Sequence, residues 1–302
     1  MSSFNKPALS IDDQISLLER RGLVVADRNR AKQYLSYISY YRLSGYAVLL
    51  ETEPVGSVAR THLFKPGATF DSLIELYAFD RRLRLLLIDA IERIEVALRT
   101  LLCNSLSQKY GPHWFIGASG FKPDFNHGRL LKTIREETGK DEPGRQNDSC
   151  KHCYNSYAYP EFPPCWMVAE VLSMGMWSMV FSGLRGSDQK MVARLLNLSP
   201  DELRSWFHAL SSIRNRAAHH GRLVGHYPII RPRHSKKLPS GLPTHTFSAL
   251  AAVVFLLLRK IVPGSTWALR LHSLFDKNPD VDVKRFLGFS ADWWTDPFWA
   301  LI

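Results

Sequence analysis

Three arginines and two histidines fall within the nine residues from Arg214 to Arg222. Imidazole is the side chain that both gives and takes protons near neutral pH. Guanidinium is a planar fork that holds a phosphate and stabilises charge developing on it. Together these groups can cleave RNA without a metal: a histidine manages the proton on the 2′-hydroxyl or on the leaving 5′-oxygen while an arginine steadies the phosphorane. The plainer alternative for the same residues is a solvated basic helix end with a capping histidine.

Spacing constrains the chemistry. On an unbroken helix Arg214 and His219 sit about 140° apart, whereas Asn215 and His219, or Arg216 and His220, share a face. A reaction centre built from Arg214 and His219 therefore needs one of three things: a long reach by the arginine, a helix end between the two, or a second copy of the motif.

The elements that must position this stretch carry their own signals. Two further helices are expected, 188–198 and 199–210, and the second, which delivers the motif, opens with Ser199-Pro200-Asp201-Glu202, an N-cap, a proline at the first helical position and acids after it. Far upstream, Thr69 caps the longest predicted helix, about 71–109, in which Leu73, Leu76, Leu83, Leu87, Ile91, Ile94, Leu98 and Leu102 recur every three or four residues. Asp80, Arg84 and Glu95 fall inside that apolar stripe, where charges must be paired or must serve a pocket. An internal ion-pair network is the simple outcome, and Glu95 is also a candidate to hold Arg214 or a histidine. A third helix, 165–184, is densely apolar, and Glu170 is its one charge. That acid needs a partner, and a basic cleft centred on Arg214 is a natural one.

Candidate RNA contacts surround the motif. Arg216 and Arg222 belong to it. Tyr40 and Tyr41 beside Arg42 could stack on unpaired bases, although such tyrosines are more often half-buried packing with a wet hydroxyl. The stretch 226–243 reads as a basic, proline-rich, extended connector whose Arg231, Arg233, Lys236 and Lys237 could touch phosphates or simply be solvated.

The remaining segments follow from turn and cap chemistry. Ser10 caps a first helix stopped by Gly22, a second runs about 27–38, and 51–67 is a loop. Residues 117–160 form an irregular insertion with one short helix near 129–137. Cys150 and Cys153, with Cys165, suggest zinc, but a matching second pair is absent and the fourth ligand would have to be His127 or His152. Ordinary reduced thiols are the reading adopted, and no metal or cofactor is assigned. A further core helix spans 246–261, and the tail 292–299 carries aromatics that could dock on the body or on a second subunit. The fold class expected is all-α, with residues 1–66 as an N-terminal helical extension and 67–302 as a helical bundle, or the two as one continuous domain.

At 302 residues and 45% hydrophobic the chain can bury a full core. A formal charge of +11 favours a polyanionic partner, nucleic acid before membrane. The run 247–258 is too short to span a bilayer, residues 1–13 lack the apolar core of an export signal, and four cysteines show no framework pattern. A cytoplasmic location is expected.

Arg214-Asn215 followed by His219 resembles the R-x(4–6)-H signature of HEPN-superfamily ribonucleases, including the polar residue directly after the arginine. More of the chain resembles the AbiD/AbiF-type abortive-infection proteins of bacteria. The matching stretches, in order, are Lys6-Pro7-Ala8-Leu9-Ser10, Arg21-Gly22-Leu23, Ile38 to Tyr46, Leu76 to Arg84, Ile91 to Arg99, Tyr110 to Trp114, Pro164-Cys165-Trp166, and Arg214 to His220. No single piece is specific, but the ordered series is. The resemblance implies a HEPN-like helical bundle and a metal-independent endoribonuclease of phage defence or a toxin–antitoxin system. It implies Arg214 on the scissile phosphate, His219 or His220 on the proton, Asn215 fixing the histidine, and Glu95 or Glu170 holding the arginine. It also implies a homodimer with two motifs facing each other, and restraint by a regulatory RNA or protein. A catalytically idle RNA-binding module, or a structural partner in a toxin–antitoxin pair, would fit the same charge.

Overall fold

In the computed structural model, which describes residues 7–53 and 60–299, the stripe that begins at Leu73 becomes one side of an unbroken helix. Lys6 and residues 54–59, inside the expected 51–67 loop, lie outside the described residues. The chain runs α1 (Ile11–Arg20), α2 (Arg28–Ile38), α3 (Tyr40–Ala47), α4 (Phe70–Tyr110), α5 (His127–Glu137) and α6 (Asp148–Ser156). It continues with α7 (Cys165–Val171), α8 (Met174–Gly183), α9 (Gly186–Leu195), α10 (Pro200–Ala218), α11 (Phe247–Ile261), α12 (Trp267–Asp276) and α13 (Val283–Leu287). Among the described residues these thirteen helices are joined by no sheet, only by isolated bridges such as Val24 with Thr69. The fold is all-α.

The 41-residue α4 is the spine, about 60 Å long at helical rise. The Thr69 hydroxyl accepts from the Ser72 amide at 2.9 Å while the Ser72 hydroxyl accepts from the Thr69 amide at 3.1 Å, so the first turn is capped in both directions. Gly111, at φ 87°, ends it in a backbone conformation that side chains resist. All eight leucines and isoleucines of the stripe are buried, each contributing roughly 1.5–3 kcal/mol relative to exposure. Against this spine pack α3, α7, α8, α9, α10, α11 and α12. Helix α11 is buried on nearly every face from Phe247 to Leu258, which explains its uninterrupted apolar sequence. Among the described residues no helix is long and apolar enough to cross a membrane.

Four details differ from the sequence reading. The expected single helix over 165–184 is two, broken at Leu172, because the Ser173 hydroxyl accepts from the Met176 amide and starts a new helix. The insertion holds a second helix, α6, capped by Asn147, and its Cys150 and Cys153 are buried on one face. Tyr40–Ala47 is a helix in its own right, entered through Ser39 at φ 50°. Helices α12 and α13 lie in a stretch to which no element was assigned. The aromatic tail docks on the body: Trp299 stacks on Phe255 at 5.0 Å and Trp294 on His272 at 4.2 Å.

Candidate functional site

Helix α10 opens as its sequence says it should. The Ser199 hydroxyl accepts from the Glu202 amide at 3.2 Å and the Glu202 carboxylate from the Ser199 amide at 2.7 Å. Leu203, Trp206, Phe207, Leu210, Ile213 and Ala217 form its buried stripe, which carries the motif to the helix end. The helix stops at Ala218, with His219 as the capping residue. His220 then adopts φ 59°, the left-handed conformation glycine usually supplies at this position. Its amide donates to the Ala217 carbonyl at 3.1 Å and the Gly221 amide to the Arg216 carbonyl at 2.7 Å, the paired bonds of a Schellman ending. A Cβ on Gly221 would stand 2.7 Å from Arg216 Cγ, so only glycine lets the chain lie flat there. Both histidine side chains are exposed at the tip. A helix end between Arg214 and His219, one of the three possibilities, comes too late to bring them together: the His219 amide still donates to the Asn215 carbonyl at 3.0 Å. The two side chains thus leave the helix about 140° apart.

Arg214 is oriented from α4. Its Nε lies 3.6 Å from Glu95 Oε2, and its Nη1 donates to Asn215 Oδ1 at 3.4 Å. The Glu95 side chain is only 12% exposed, as its place in the apolar stripe implied, whereas Arg214 at 39% can reach solvent and a ligand. Asn215 contacts the arginine by its side chain and the histidine by its carbonyl. Glu170 is elsewhere: it pairs at 3.8 Å with Arg99, whose Nη1 donates to the Ala169 carbonyl.

A buried network fixes the turn that follows the motif. Asp80, fully buried, accepts through Oδ1 from the amides of Leu223 and Val224, each at 2.8 Å. Through Oδ2 it accepts from the Tyr46 hydroxyl at 2.7 Å and from Arg84 at 2.9 Å. Arg84 and Arg42 both donate to the His220 carbonyl, at 3.2 and 3.1 Å. Burial, and then the Asp80 charge, pushes the Tyr46 phenol far up, so it remains a donor. Two of the three charges singled out inside the α4 stripe, Asp80 and Arg84, are therefore an ion pair whose work is to hold residues 220–224. Tyr46 is the member the sequence did not single out, since nothing separates it from its neighbours Tyr40 and Tyr41.

The candidate RNA contacts divide. Arg42, Arg216 and Arg222 stand around the turn: Arg216 Nε donates to the Arg222 carbonyl at 2.7 Å, and Arg222 donates to the Gly45 carbonyl. Burial lowers both guanidinium pKa values. His226, half-buried beside them, is held down to about 4 by burial and by the charges of Arg216 and Arg222. Tyr41 is 90% exposed on the neighbouring α3, while the Tyr40 hydroxyl accepts from Arg21 at 3.0 Å. The connector cations lie at the other end of α10. Lys237 pairs with Glu202 at 2.8 Å, Arg233 with Asp201 at 3.6 Å, and the Arg231 carbonyl accepts from Ser205. Glu202 and Arg214 are twelve residues apart in one helix, about 18 Å along its axis. Lys236 is exposed in the same connector. The structure does not bring these four to the motif.

The cysteines also separate. Cys165 lies against Cys103, with Ser107 Oγ 2.9 Å from its sulfur, and burial pushes the thiols of Cys150 and Cys153 up. Among the described residues no three metal-binding side chains converge.

With this geometry in view, a family model described as Abi-like protein matches residues 33–224, from within α2 to the amides held by Asp80. No curated protein matches the chain, and no solved structure does.

Proposed function

The chain belongs to the Abi-like protein family, an abortive-infection family, and from that premise we propose that it is a metal-independent endoribonuclease of the HEPN kind acting in phage defence or as a toxin. The observation that carries this reading is a solvent-reaching arginine, Arg214, tied to the nearly buried Glu95 on the spine helix, at a helix tip that also exposes His219. A carboxylate behind an arginine fixes its fork without hiding it, which is the requirement for stabilising charge that develops at one point.

The reaction is written with protein groups only. His219 accepts the 2′-hydroxyl proton as the 2′-oxygen bonds to phosphorus. Arg214 stabilises the phosphorane. The bond to the 5′-oxygen then breaks, and that oxygen takes a proton from a second imidazole, leaving a 2′,3′-cyclic phosphate and a 5′-hydroxyl. The second imidazole is His220 or the motif of a second copy. The 140° between Arg214 and His219 favours the second copy, since a symmetric pair would face one chain's arginine with the other's histidine. RNA is then both substrate and a candidate regulator.

The test is incubation of pure protein with bacterial RNA and EDTA, beside Arg214→Ala and His219→Ala. Fragments ending in cyclic phosphate, lost in both variants, support the nuclease. Intact RNA that still shifts on a gel favours the rival, an RNA-binding module that senses or sequesters RNA. Cleavage surviving in both variants moves the chemistry away from α10 altogether.

A further inference from the structure

Around the turn after α10, positive charge exceeds what the protein neutralises. The one buried carboxylate there, Asp80, is committed to Arg84 and to the amides of Leu223 and Val224. Arg42, Arg216 and Arg222 face the same space, and each is held by a backbone carbonyl: His220, Arg222 and Gly45 respectively. A carbonyl fixes a guanidinium without cancelling its charge, and one bond leaves most of each fork's five donors uncommitted within the protein. All three side chains are half-buried. Partly desolvated cations that must share one carboxylate, Asp80, with Arg84 are unfavourable unless an anion completes the site. The proton affinity of His226 is lowered first by burial and then by the charges of Arg216 and Arg222, the second contribution coming from the same cations.

We propose that Arg42, Arg216 and Arg222 form a second phosphate subsite, on the α3 side of the α10 tip, that holds the RNA backbone beside the phosphate held at Arg214. Arg214 and Arg216 are two residues apart and so leave the helix on nearly opposite sides, with the exposed histidines at the tip between them. A strand bound by both would cross the tip, bringing its 2′-hydroxyl past His219. A guanidinium fork suits a phosphodiester oxygen pair better than a single carbonyl. The claim that one of the two phosphates is cut rests on the ribonuclease reading; the anion site does not.

The experiment measures binding alone. Full-length protein is titrated with a 2′-O-methyl RNA oligonucleotide, which cannot be cut by its own 2′-oxygen, at several salt concentrations. Arg42→Gln and Arg216→Gln should each weaken binding several-fold and flatten the plot of log Kd against log salt by about 0.7, one single-strand phosphate contact. Arg194→Gln, an exposed cation on α9, should leave the slope alone. Arg216→Lys tests charge without the carbonyl-bonded fork, and should keep most of the slope. If Arg216→Gln does not fold, Arg42→Gln decides, since its side chain makes a single bond to the turn. A slope and Kd unchanged by folded Arg42→Gln overturn the subsite. If the ribonuclease reading alone fails, natural RNA stays intact while these slopes still change.

Discussion

Replacing Asp80 by Asn should unlock the turn behind the motif without touching the motif. Asp80 accepts four hydrogen bonds at 2.7–2.9 Å with no exposure to water. An amide has only one accepting oxygen. Its nitrogen must point either at the amides of Leu223 and Val224, which only donate, or at Arg84 and Tyr46, of which only the Tyr46 hydroxyl can also accept. The first orientation sets two donors against a donor and the second sets Arg84 against one, and both leave Arg84 as an uncompensated buried charge. Removing one member of a buried pair costs about 3–5 kcal/mol, and a stranded backbone amide about 1–3. These overlap, so about 4 kcal/mol is expected in total. For a chain of this size that corresponds to a fall of about 6 °C in Tm. Thermal unfolding of the two proteins side by side measures it, and single-turnover cleavage should fall with it, since residues 220–224 lose their anchor. A loss under about 1 kcal/mol would refute the reasoning, because it would mean the carboxylate is hydrated or the turn is held by something else.

Further outcomes follow from the same geometry. Glu95→Gln should slow single-turnover cleavage about tenfold by loosening Arg214 while leaving RNA binding as tight or tighter. Glu170→Gln, beside Arg99, should change the rate less than twofold; the reverse ranking would reassign the arginine's support. His220→Gly should raise stability by about 1 kcal/mol, seen in urea titration, because glycine occupies φ 59° without strain. Cleavage should persist in that variant, and its loss would make His220 the reacting histidine. His226 has a folded pKa near 4, below its ordinary value. The unfolded chain therefore takes up the proton first on acidification. That contribution to stability is present above about pH 6.5 and is lost as pH falls toward 4. The shift is worth at most about 3 kcal/mol, and solvent at a half-buried ring reduces this to about 1–2. His226→Gln should flatten that part of the stability–pH curve, and an unchanged curve would mean the ring is already solvated.

What the sequence revealed depended on whether a signal was local. Helix α4 and the start of α10 were legible because both the cap and the apolar period lie in the segment itself, but α10 runs on to Ala218, through the motif and past the expected end at Leu210. The break at Leu172 was obscured because the apolar residues run through it, and only the Ser173 hydroxyl marks it. Glu95 and the Asp80–Arg84 pair stood out because a charge inside an apolar stripe demands a partner, and each has one. Where Lys237 or Arg233 would land was not legible: an extended, proline-rich chain has no internal register, and its path is set by acids on the first turn of α10. The double role of position 220 was likewise hidden, since a histidine in a left-handed Schellman position carries no mark that glycine would.

The length of α4 bears on how the protein is made. Its apolar stripe is complete once residue 110 has been synthesised, yet its partners α7 to α12 begin only at Cys165 and end at Asp276. At about 5–20 residues per second, the stripe waits from a few seconds to half a minute for its cover. Helper proteins that shield nascent apolar surface have a defined target in that interval. Under the proposed ribonuclease function, the order also delays any cleavage in the cell that makes the protein. Glu95 emerges early, but Arg214 and His219 arrive after two thirds of the chain and must dock on a helix still awaiting α11 and α12. A ribosome stalled or a message cut before that point yields a fragment holding the spine and its acid, but neither the arginine nor the histidines.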